Sequence, residues 1–473
     1  METQPRYTVA DMPFGWRHVW IVSVASLGQL IGTALATVVG IIIPMLQILS
    51  HPELPSWLQG LLGAADLIGI AVGAVILGKL SDRWGYLLFF RICPVIMLVF
   101  SLVAIFVPNV TVLLICLFMI GFAIGGEYSL DSDYISELMP DKWASTMVGV
   151  AKASSAFGNI IVAGVCYLLI VHWQRAETWP RLMWLIAICA AVMFLSRIYF
   201  AGSPKWLLEK GRVDEAQKAV KFFLGDNVDI SPENIAKAEA AEAERKKLAS
   251  EKMGTTVPKQ SLWSFVRQNP LQVILSGIPW ACEGLGVYGI GIFLPILVMA
   301  LGLEHFTPGE AEILHVASSV EVTFWISCLI LPGFIIGLLL LRKVYDIKLL
   351  YVGFFVCAAS LLVLMFGYQY KWAAWVSIVA FMAFELFLNI GPHLVTYVLP
   401  PQIYPVATRS LGSGIAACLG KVGAVLAVFF IPVLLDSGGV SLVLIVSTAV
   451  MLTGGIVTLW AGPKVLPKKK ELN

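Results

Sequence analysis

Long apolar blocks alternate with short polar stretches along the whole of this chain. Each block is long enough to cross a bilayer core of about 30 Å, which requires about 20 apolar residues in an α-helix. Six blocks precede a polar interval at 203–270, and six follow it. The pattern predicts twelve transmembrane helices, at 17–46, 57–80, 87–107, 109–136, 145–172, 181–201, 271–301, 312–341, 349–369, 372–398, 409–435 and 439–461.

Composition also indicates a membrane protein. Hydrophobic residues make up 59% of the 473 positions and charged residues 13%, and a surface this apolar would aggregate in water. We predict an all-α membrane protein with three parts: a six-helix bundle at 1–202, a cytoplasmic linker with short helices at 203–270, and a second six-helix bundle with a basic tail at 271–473. The first residues lack an apolar core with a cleavage site, so no removable signal peptide is predicted.

The distribution of basic residues predicts the orientation in the membrane. With both termini in the cytoplasm, only Arg175, Arg181 and Lys371 of the 32 Lys and Arg fall on outer loops, and Lys152 and Lys421 fall inside the membrane. The others lie on the inner side, as the positive-inside rule requires. We expect a multi-pass protein of the plasma membrane, or of a bacterial inner membrane, with cytoplasmic termini.

The polar interval contains a good helix former at 235–253, IAKAEAAEAERKKLASEKM, preceded by cap and first-turn residues at 231–233. A solvated helix face and a binding surface are both open interpretations of this charge run. Elsewhere the two halves repeat at one offset of 265 positions, in the pairs Gly126/Gly391, Pro140/Pro405, Gly149/Gly414 and Gly158/Gly423. A duplicated six-helix unit places a binding site at the midplane between the halves.

Acidic residues lie in the fourth predicted helix. Glu127, Asp131 and Asp133 follow an apolar run without a break. A carboxylate at membrane depth costs about 2.5 to 3.5 kcal/mol on insertion scales, so each should face water or a cation. Helical spacing puts Glu127 and Asp131 on one stripe, and Asp133 and Glu137 on another. We expect one stripe to line a pathway and the other to hold helices together.

Motifs for enzymatic chemistry are missing from the sequence. There is no P-loop, metal-ligand cluster or nucleophile motif, so neither catalysis nor a cofactor is predicted. All eight cysteines lie in apolar spans without a CxxC pair. They are expected to be buried free thiols.

The loop between the second and third predicted helices reads GKLSDRWGY, with Gly78, Asp82, Arg83 and Gly85. It resembles the G-x-L-[AS]-D-R-x-G signature of the major facilitator superfamily, at the place where that family carries it. The matching loop of the second half, LRKVYDIK, departs from the signature. The resemblance implies a twelve-helix transporter fold in which Asp82 and Arg83 latch the inner gate.

Further segments resemble particular branches of that superfamily. AGSPKWLLEKGR after the sixth helix and YISELMP at the end of the fourth are similar to sugar-porter segments. The stretch 389–425 is similar to helices 10 and 11 of phosphate:proton symporters. Residues 125–129, GGEYS, resemble the G-G-D-Y-P motif of the same symporters with Glu127 in place of the Asp.

This resemblance implies roles for individual residues. Glu127 would handle protons and substrate, and Lys421 would contact an anionic substrate. Trp280 and Glu283 correspond to a Trp and an acid of helix 7, although they stand three rather than four positions apart. The acid that the family carries in helix 1 is missing, and Gln29 is the long polar side chain of that helix.

Other polar residues complete the candidate site. The repeat places Lys152 one helical turn from the counterpart of Lys421, so both ammonium groups are expected near the solute, although Lys152 could instead neutralise Asp131 or Asp133. Asp66, Glu321 and Glu385 stay open between functional and structural roles. The predicted substrate-binding residues are Glu127, Asp131, Lys152, Trp280, Glu283, His393, Tyr397 and Lys421.

Gating residues form a second predicted set. Asp133 and Glu137 are expected to pair with Arg83 or Arg91. The full set is Asp82, Arg83, Asp133, Glu137 and Arg409.

We predict a secondary transporter that moves a small polar, anionic solute by alternating access, in symport with protons. Ionisable groups of both halves are expected to meet around one aqueous chamber, with Glu127 and Glu283 as titrating groups. Its partners are the solute, protons and membrane lipids, without nucleic acid, and a monomer is expected. Two alternatives stay open: an antiporter that exports organic cations or drugs, and a non-transporting sensor.

Overall fold

The structure is a computed structural model that describes residues 12–209, 211–225, 262–304, 311–341, 343–404 and 409–466, and the isolated positions 9, 228 and 236. At a few positions in these ranges, among them Asp82, Asp133 and Arg409, it describes the backbone only. The predicted linker helix at 235–253 lies outside the described residues.

Helices make up nearly all of the described chain. A 3₁₀ turn at Ala176–Thr178 precedes α7, and a π-helical segment at Leu285–Ile290 follows α11. The helices are α1 (Trp16–Ala25), α2 (Leu27–Leu49), α3 (Ser56–Trp84), α4 (Tyr86–Phe106), α5 (Val110–Leu138), α6 (Asp141–Trp173), α7 (Trp179–Arg197), α8 (Pro204–Glu209), α9 (Val213–Leu224), α10 (Leu262–Gln268), α11 (Pro270–Gly284), α12 (Leu294–Ala300), α13 (Glu312–Ser327), α14 (Ile330–Leu341), α15 (Asp346–Gln369), α16 (Ala374–Ile390), α17 (Pro392–Val398), α18 (Pro400–Ile403) and α19 (Arg409–Val465).

The membrane spans agree with the twelve predicted ones. Among the described residues, eleven helical stretches are long and apolar enough to cross a bilayer, and the last of them runs over 54 residues, Gly412–Val465. A helix of that length would measure about 80 Å, far more than a bilayer core. Gly439 interrupts it with φ 65° and ψ −171°, a left-handed conformation that glycine adopts without strain. The stretch is therefore two spans, as the sequence predicted.

Residue contacts divide the chain into two compact units. The first comprises Met1–Leu35, Ala65–Asn159 and Pro180–Arg245, and the second comprises Ala36–Ala64, Ile160–Trp179 and Lys246–Asn473. Because the boundaries fall inside α2, α3 and α6, each of these helices contributes to both units. The predicted domain limits, with a linker at 203–270, stay a prediction.

Glycines bring α3 and α5 together in the first unit. A Cβ added at Gly69 or Gly73 would overlap the backbone carbonyl of Phe118 or Phe122, and a Cβ at Gly121 would overlap the carbonyl of Asp66. Membrane helices pack closely in this way because small residues let the two backbones approach. The acidic part of α5 is thereby held firmly against its neighbours.

The amphipathic helix α9 covers an aromatic cluster of the same unit. Phe223 is fully buried, and its ring lies 4.8 Å from that of Phe200 and 6.4 Å from that of Tyr134. Trp20 of α1 also packs against Phe200, with ring centroids 5.2 Å apart. The last turn of α7 is therefore enclosed by aromatic side chains.

The second unit contains a close helix contact, which we call the glycine seal. It is formed by three glycines, Gly40, Gly60 and Gly63. Added Cβ atoms at Gly40 and Gly60 would overlap the backbone carbonyls of Ile292 and Phe429, respectively. A Cβ at Gly63 would lie 2.8 Å from a methyl group of Val428. The parts of α2 and α3 that belong to this unit therefore meet the segment after α11 and the helix α19 along backbone surfaces.

Candidate functional site

An ion cluster without solvent exposure lies in the first unit. Arg197, the last residue of α7, donates hydrogen bonds to Glu127 at 2.5 Å and to Asp131 at 3.4 Å. Glu127 and Asp131 stand one turn apart on α5, as their predicted shared stripe requires. Arg197 and Glu127 are 0% exposed and Asp131 is 1% exposed.

The remaining contacts of Arg197 fix the position of its guanidinium group. It donates to the backbone carbonyls of Phe90 at 3.2 Å and Val24 at 3.3 Å, and its Cζ lies 3.5 Å from the centroid of the Phe90 ring. Arginine suits such a site because its planar fork binds several acceptors while stacking on an aromatic face. Arg197 was not among the predicted site residues, although an arginine inside a predicted span indicates that a buried acid is near.

Gly28 makes room for the two carboxyl groups. A Cβ at this position of α2 would overlap Asp131 Oδ2 and would lie 3.2 Å from Glu127 Oε2. The first membrane span, which has no acid of its own, thus presents bare backbone to the acids of α5. Nothing in the sequence pattern marked this glycine among the others.

The charge of this cluster determines what it can do. Two carboxylates share the guanidinium of Arg197, and a fully ionised cluster would leave an uncompensated negative charge in a desolvated place. One proton on the pair of carboxyl groups would balance the charge of the guanidinium group and make the cluster neutral.

Lys152 of α6 lies elsewhere in the first unit. Its Nζ is 5.6 Å from the ring centroid of Tyr128 on α5, and its side chain is partly buried. The cation paired with Asp131 in the structure is Arg197. The alternative in which Lys152 neutralises Asp131 therefore differs from the observed pairing. The side chain of Asp133 lies outside the described part.

The second unit brings together five of the predicted substrate-binding residues. His393 Nδ1 lies 2.8 Å from Glu283 Oε1, and Lys421 Nζ donates a hydrogen bond of 3.1 Å to Tyr288 Oη. The rings of Trp280 and Tyr397 meet edge to face at 6.3 Å. Glu283 is buried, whereas His393, Trp280 and Lys421 are partly exposed and Tyr397 is exposed. Trp280 and Glu283 both lie on α11, and His393 and Tyr397 both lie on α17, so two of these three pairs join the same two helices.

Helix irregularities position this second group. The π-helical segment Leu285–Ile290 starts two residues after Glu283 and carries Tyr288, and such segments are rare and frequent at functional sites. Gly391 ends α16 with φ −112° and ψ −86°, so His393 lies just after the break that the Gly-Pro pair predicted. Gly420 gives the indole ring of Trp280 its space, because a Cβ there would lie 2.7 Å from that ring.

The predicted gating residues are described only in part. Arg83 is exposed, and Glu137 accepts a hydrogen bond from the hydroxyl of Ser203. Arg91 donates to the backbone carbonyls of Arg197, Ile198 and Phe200, at 3.2, 2.6 and 2.9 Å. The side chains of Asp82, Asp133 and Arg409 lie outside the described part. The gating roles therefore stay a prediction.

The acids left open by the sequence are buried or partly buried. Glu385 is 5% exposed and its carboxylate lies 3.4 Å from the amide nitrogen of Asn389. Asp66 is fully buried and accepts a hydrogen bond from the backbone of Leu67. Glu321 is partly exposed.

Twelve spans with polar groups inside them are typical of a polytopic membrane transporter. The family model described as sugar (and other) transporter matches residues 45–469. The chain therefore belongs to the sugar (and other) transporter family, and the resemblance to the major facilitator superfamily is confirmed.

Relatives of known description are similar along nearly the whole chain. The inner membrane metabolite transport protein YgcS of Escherichia coli is 24% identical over 471 residues, which are 99% of this chain and 96% of that protein. The inorganic phosphate transporter PHO84 of Saccharomyces cerevisiae is 25% identical over 462 residues, which are 91% of this chain and 78% of that protein.

Solved structures share the fold. The partially occluded, inward-open xylose transporter XylE of E. coli superposes with a TM-score of 0.71 at 16% identity, covering 95% of this chain and all of that one. A crystal structure of a D-xylose-proton symporter gives a TM-score of 0.72, also at 16% identity, covering 96% of this chain and 99% of that one. The predicted twelve-helix fold of the superfamily is thereby confirmed.

Proposed function

We propose that this transporter moves a small polar, anionic solute together with protons, by symport and alternating access, with both termini in the cytoplasm. The observation that carries the proton part is the buried cluster of Glu127, Asp131 and Arg197. One proton on the carboxyl pair makes the cluster neutral. Gain and loss of that proton therefore switch the buried cluster between a neutral and a negatively charged state. A transporter uses such an exchange to couple a pH gradient to a change of conformation.

The anionic character of the solute is supported by lysines. Lys421 lies in a partly exposed group with Tyr288 and is expected to bind a carboxylate or phosphate by a charge-assisted hydrogen bond. Lys152, beside Tyr128, is the second proposed contact. Phosphate and metabolites are what the names of two similar proteins state for those proteins, which fits a solute of this class.

The pair of Glu283 and His393 is the second acidic site of the proposal. Glu283 Oε1 lies 2.8 Å from His393 Nδ1, so a carboxyl group and an imidazole ring are neighbours there. We assign Glu283 to proton handling, and Trp280 and Tyr397 to the wall that contacts the apolar parts of the solute.

Reconstituted transporter tests this proposal. Purified protein is screened by thermal shift against inorganic anions, carboxylates, sugars and amines, and each stabilising compound is then offered to proteoliposomes with an imposed pH gradient. We expect an anion to accumulate with the proton gradient. Glu127→Gln is expected to abolish accumulation while leaving exchange of labelled against unlabelled solute, and Glu53→Gln, at an exposed glutamate, serves as the matched control with wild-type behaviour.

Other outcomes would decide against the proposal. Proton-driven efflux of an organic cation, unaffected by Lys421→Met, would identify an exporter. Ligand binding without accumulation or exchange would identify a sensor.

A further inference from the structure

A cavity of about 510 Å³ lies in the first unit, beside the loop between α3 and α4. Its walls come from the end of α3, the start of α4, the segment after α7 and the helices α8 and α9. It shares no lining residue with the ion cluster or with the group around Lys421. Arg91, an expected partner of the gating acids, is among its lining residues.

Among the residues that the structure describes, three cations and one carboxylate line this cavity: Arg91, Arg212, Lys218 and Glu215. Arg212 donates to both carboxylate oxygens of Glu215, at 2.8 and 2.6 Å, and so neutralises the acid. Arg91 is held in place by three backbone carbonyls, which are uncharged, and Lys218 is exposed. The lining therefore keeps an excess of positive charge and favours an anion.

The rest of the lining is largely apolar. Trp84, Leu88 and Phe222 are 55%, 45% and 43% exposed and stand at the rim. Gly85, with φ 100°, lets the indole ring of Trp206 pack against its Cα, because a Cβ there would lie 3.1 Å from the ring. A small hydrophilic anion would bury none of this surface favourably. A ligand with an anionic head and an apolar body fits both parts.

The cavity also lies at the depth of a membrane surface. The span Ser56–Ser81 ends at the loop that forms the cavity wall, and the span Tyr86–Phe106 begins there. Trp and Tyr, the residue types at positions 84 and 86, are enriched at the depth of a membrane surface. The amphipathic helix α9 packs Ala216 and Phe223 against the protein and leaves Lys218 exposed beside the cavity.

We propose that this cavity binds an anionic phospholipid, whose phosphate is bound by Lys218 and Arg91, the two lining cations that Glu215 does not neutralise, and whose first acyl carbons pack on Trp84, Leu88 and Phe222. Bound lipid bridges the loop between α3 and α4 to α9. The site is separate from the proposed solute site and does not depend on the nature of the solute.

Delipidated full-length protein provides the test. A photoactivatable phosphatidylglycerol is bound and crosslinked, and the labelled peptides are located by mass spectrometry. We expect label in 84–91 and 204–224, displaced by phosphatidylglycerol and not by phosphatidylcholine or glycerol phosphate. The variant Lys218→Ala should weaken binding about fivefold, the order expected for losing one basic residue at a lipid surface.

Lys221→Ala is the matched control, because this lysine is on the same helix but does not line the cavity; it should bind lipid like the wild type. Melting temperatures of all variants establish that they are folded. Equal labelling in all variants, equal displacement by phosphatidylcholine, or full displacement by glycerol phosphate alone would overturn the lipid assignment.

Discussion

Gly28 on α2 faces the carboxyl group of Asp131 on α5 so closely that no side chain fits between them. A Cβ at Gly28 would overlap Asp131 Oδ2 and would lie 2.9 Å from the Cβ of Glu127. The two carboxyl groups are thus pressed between a glycine surface on one side and the guanidinium of Arg197 on the other. The geometry of the acid pair depends on a residue without a side chain.

Gly28→Ala should disturb this arrangement. The extra methyl group displaces Asp131 or separates α2 from α5, and overpacking of this kind costs about 1 to 3 kcal/mol. We expect a lower melting temperature in detergent and a loss of proton-driven accumulation. Gly149→Ala is the control, since a Cβ there meets nothing within 4 Å; equal effects of the two substitutions would contradict the packing argument.

Arg197→Met should destabilise the protein strongly. It leaves two buried carboxyl groups without their cation, and removing one partner of a buried pair costs about 3 to 5 kcal/mol. The purified variant should melt at a clearly lower temperature than the wild type.

The triple variant Arg197→Met/Glu127→Gln/Asp131→Asn separates folding from function. It removes all charge from the cluster together, so most of the lost stability should return. Proton-driven accumulation should stay absent. A triple variant no more stable than Arg197→Met would show that the arginine acts through its packing on Phe90 rather than through charge.

Lys421→Met should raise the KM for an anionic solute by about 10- to 100-fold, the range of a hydrogen bond to a charged group. Lys421→Arg keeps the charge but changes the donor geometry, so its KM should lie between those of the wild type and Lys421→Met. Lys464→Met, at a lysine stacked on Trp460, should leave uptake kinetics unchanged. An unaltered KM in Lys421→Met would remove the lysine from the solute site.

Gly60→Ala should shift the transporter toward a state in which the glycine seal is open. Its new Cβ overlaps the carbonyl of Phe429, and a substitution that destabilises one conformation raises the population of the other. Val428 is fully buried, so a cysteine introduced there should react with maleimide faster in the Gly60→Ala background than in the wild-type background. Mass spectrometry shows which cysteine is labelled. Gly414→Ala, with nothing near its Cβ, should label at the wild-type rate.

Much of the fold followed from apolar periodicity, since a bilayer fixes the length of each span. The twelve spans are confirmed, including the division of the last long helix near Gly439. The π-helical segment at Leu285–Ile290 could not be foreseen, because its backbone pattern follows from packing against other helices rather than from local propensity. Gly286 and Gly289 both lie in it, and glycines in an apolar span fit an ordinary helix equally well.

The site was predicted residue by residue only where spacing determines neighbours. Glu127 and Asp131 are one turn apart, so their shared face could be read from the sequence. Arg197 is 66 positions beyond Asp131, and no pattern in one sequence specifies which helix end reaches an acid so distant in the chain. Its identity as a partner is a property of the tertiary structure.

The glycine seal has a further consequence for the conditions under which the transporter works. Its three glycines meet carbonyl groups and aliphatic carbon rather than charged atoms, and contacts of that kind are hardly weakened by dissolved ions. We therefore expect this helix contact to keep its stability from low to high ionic strength.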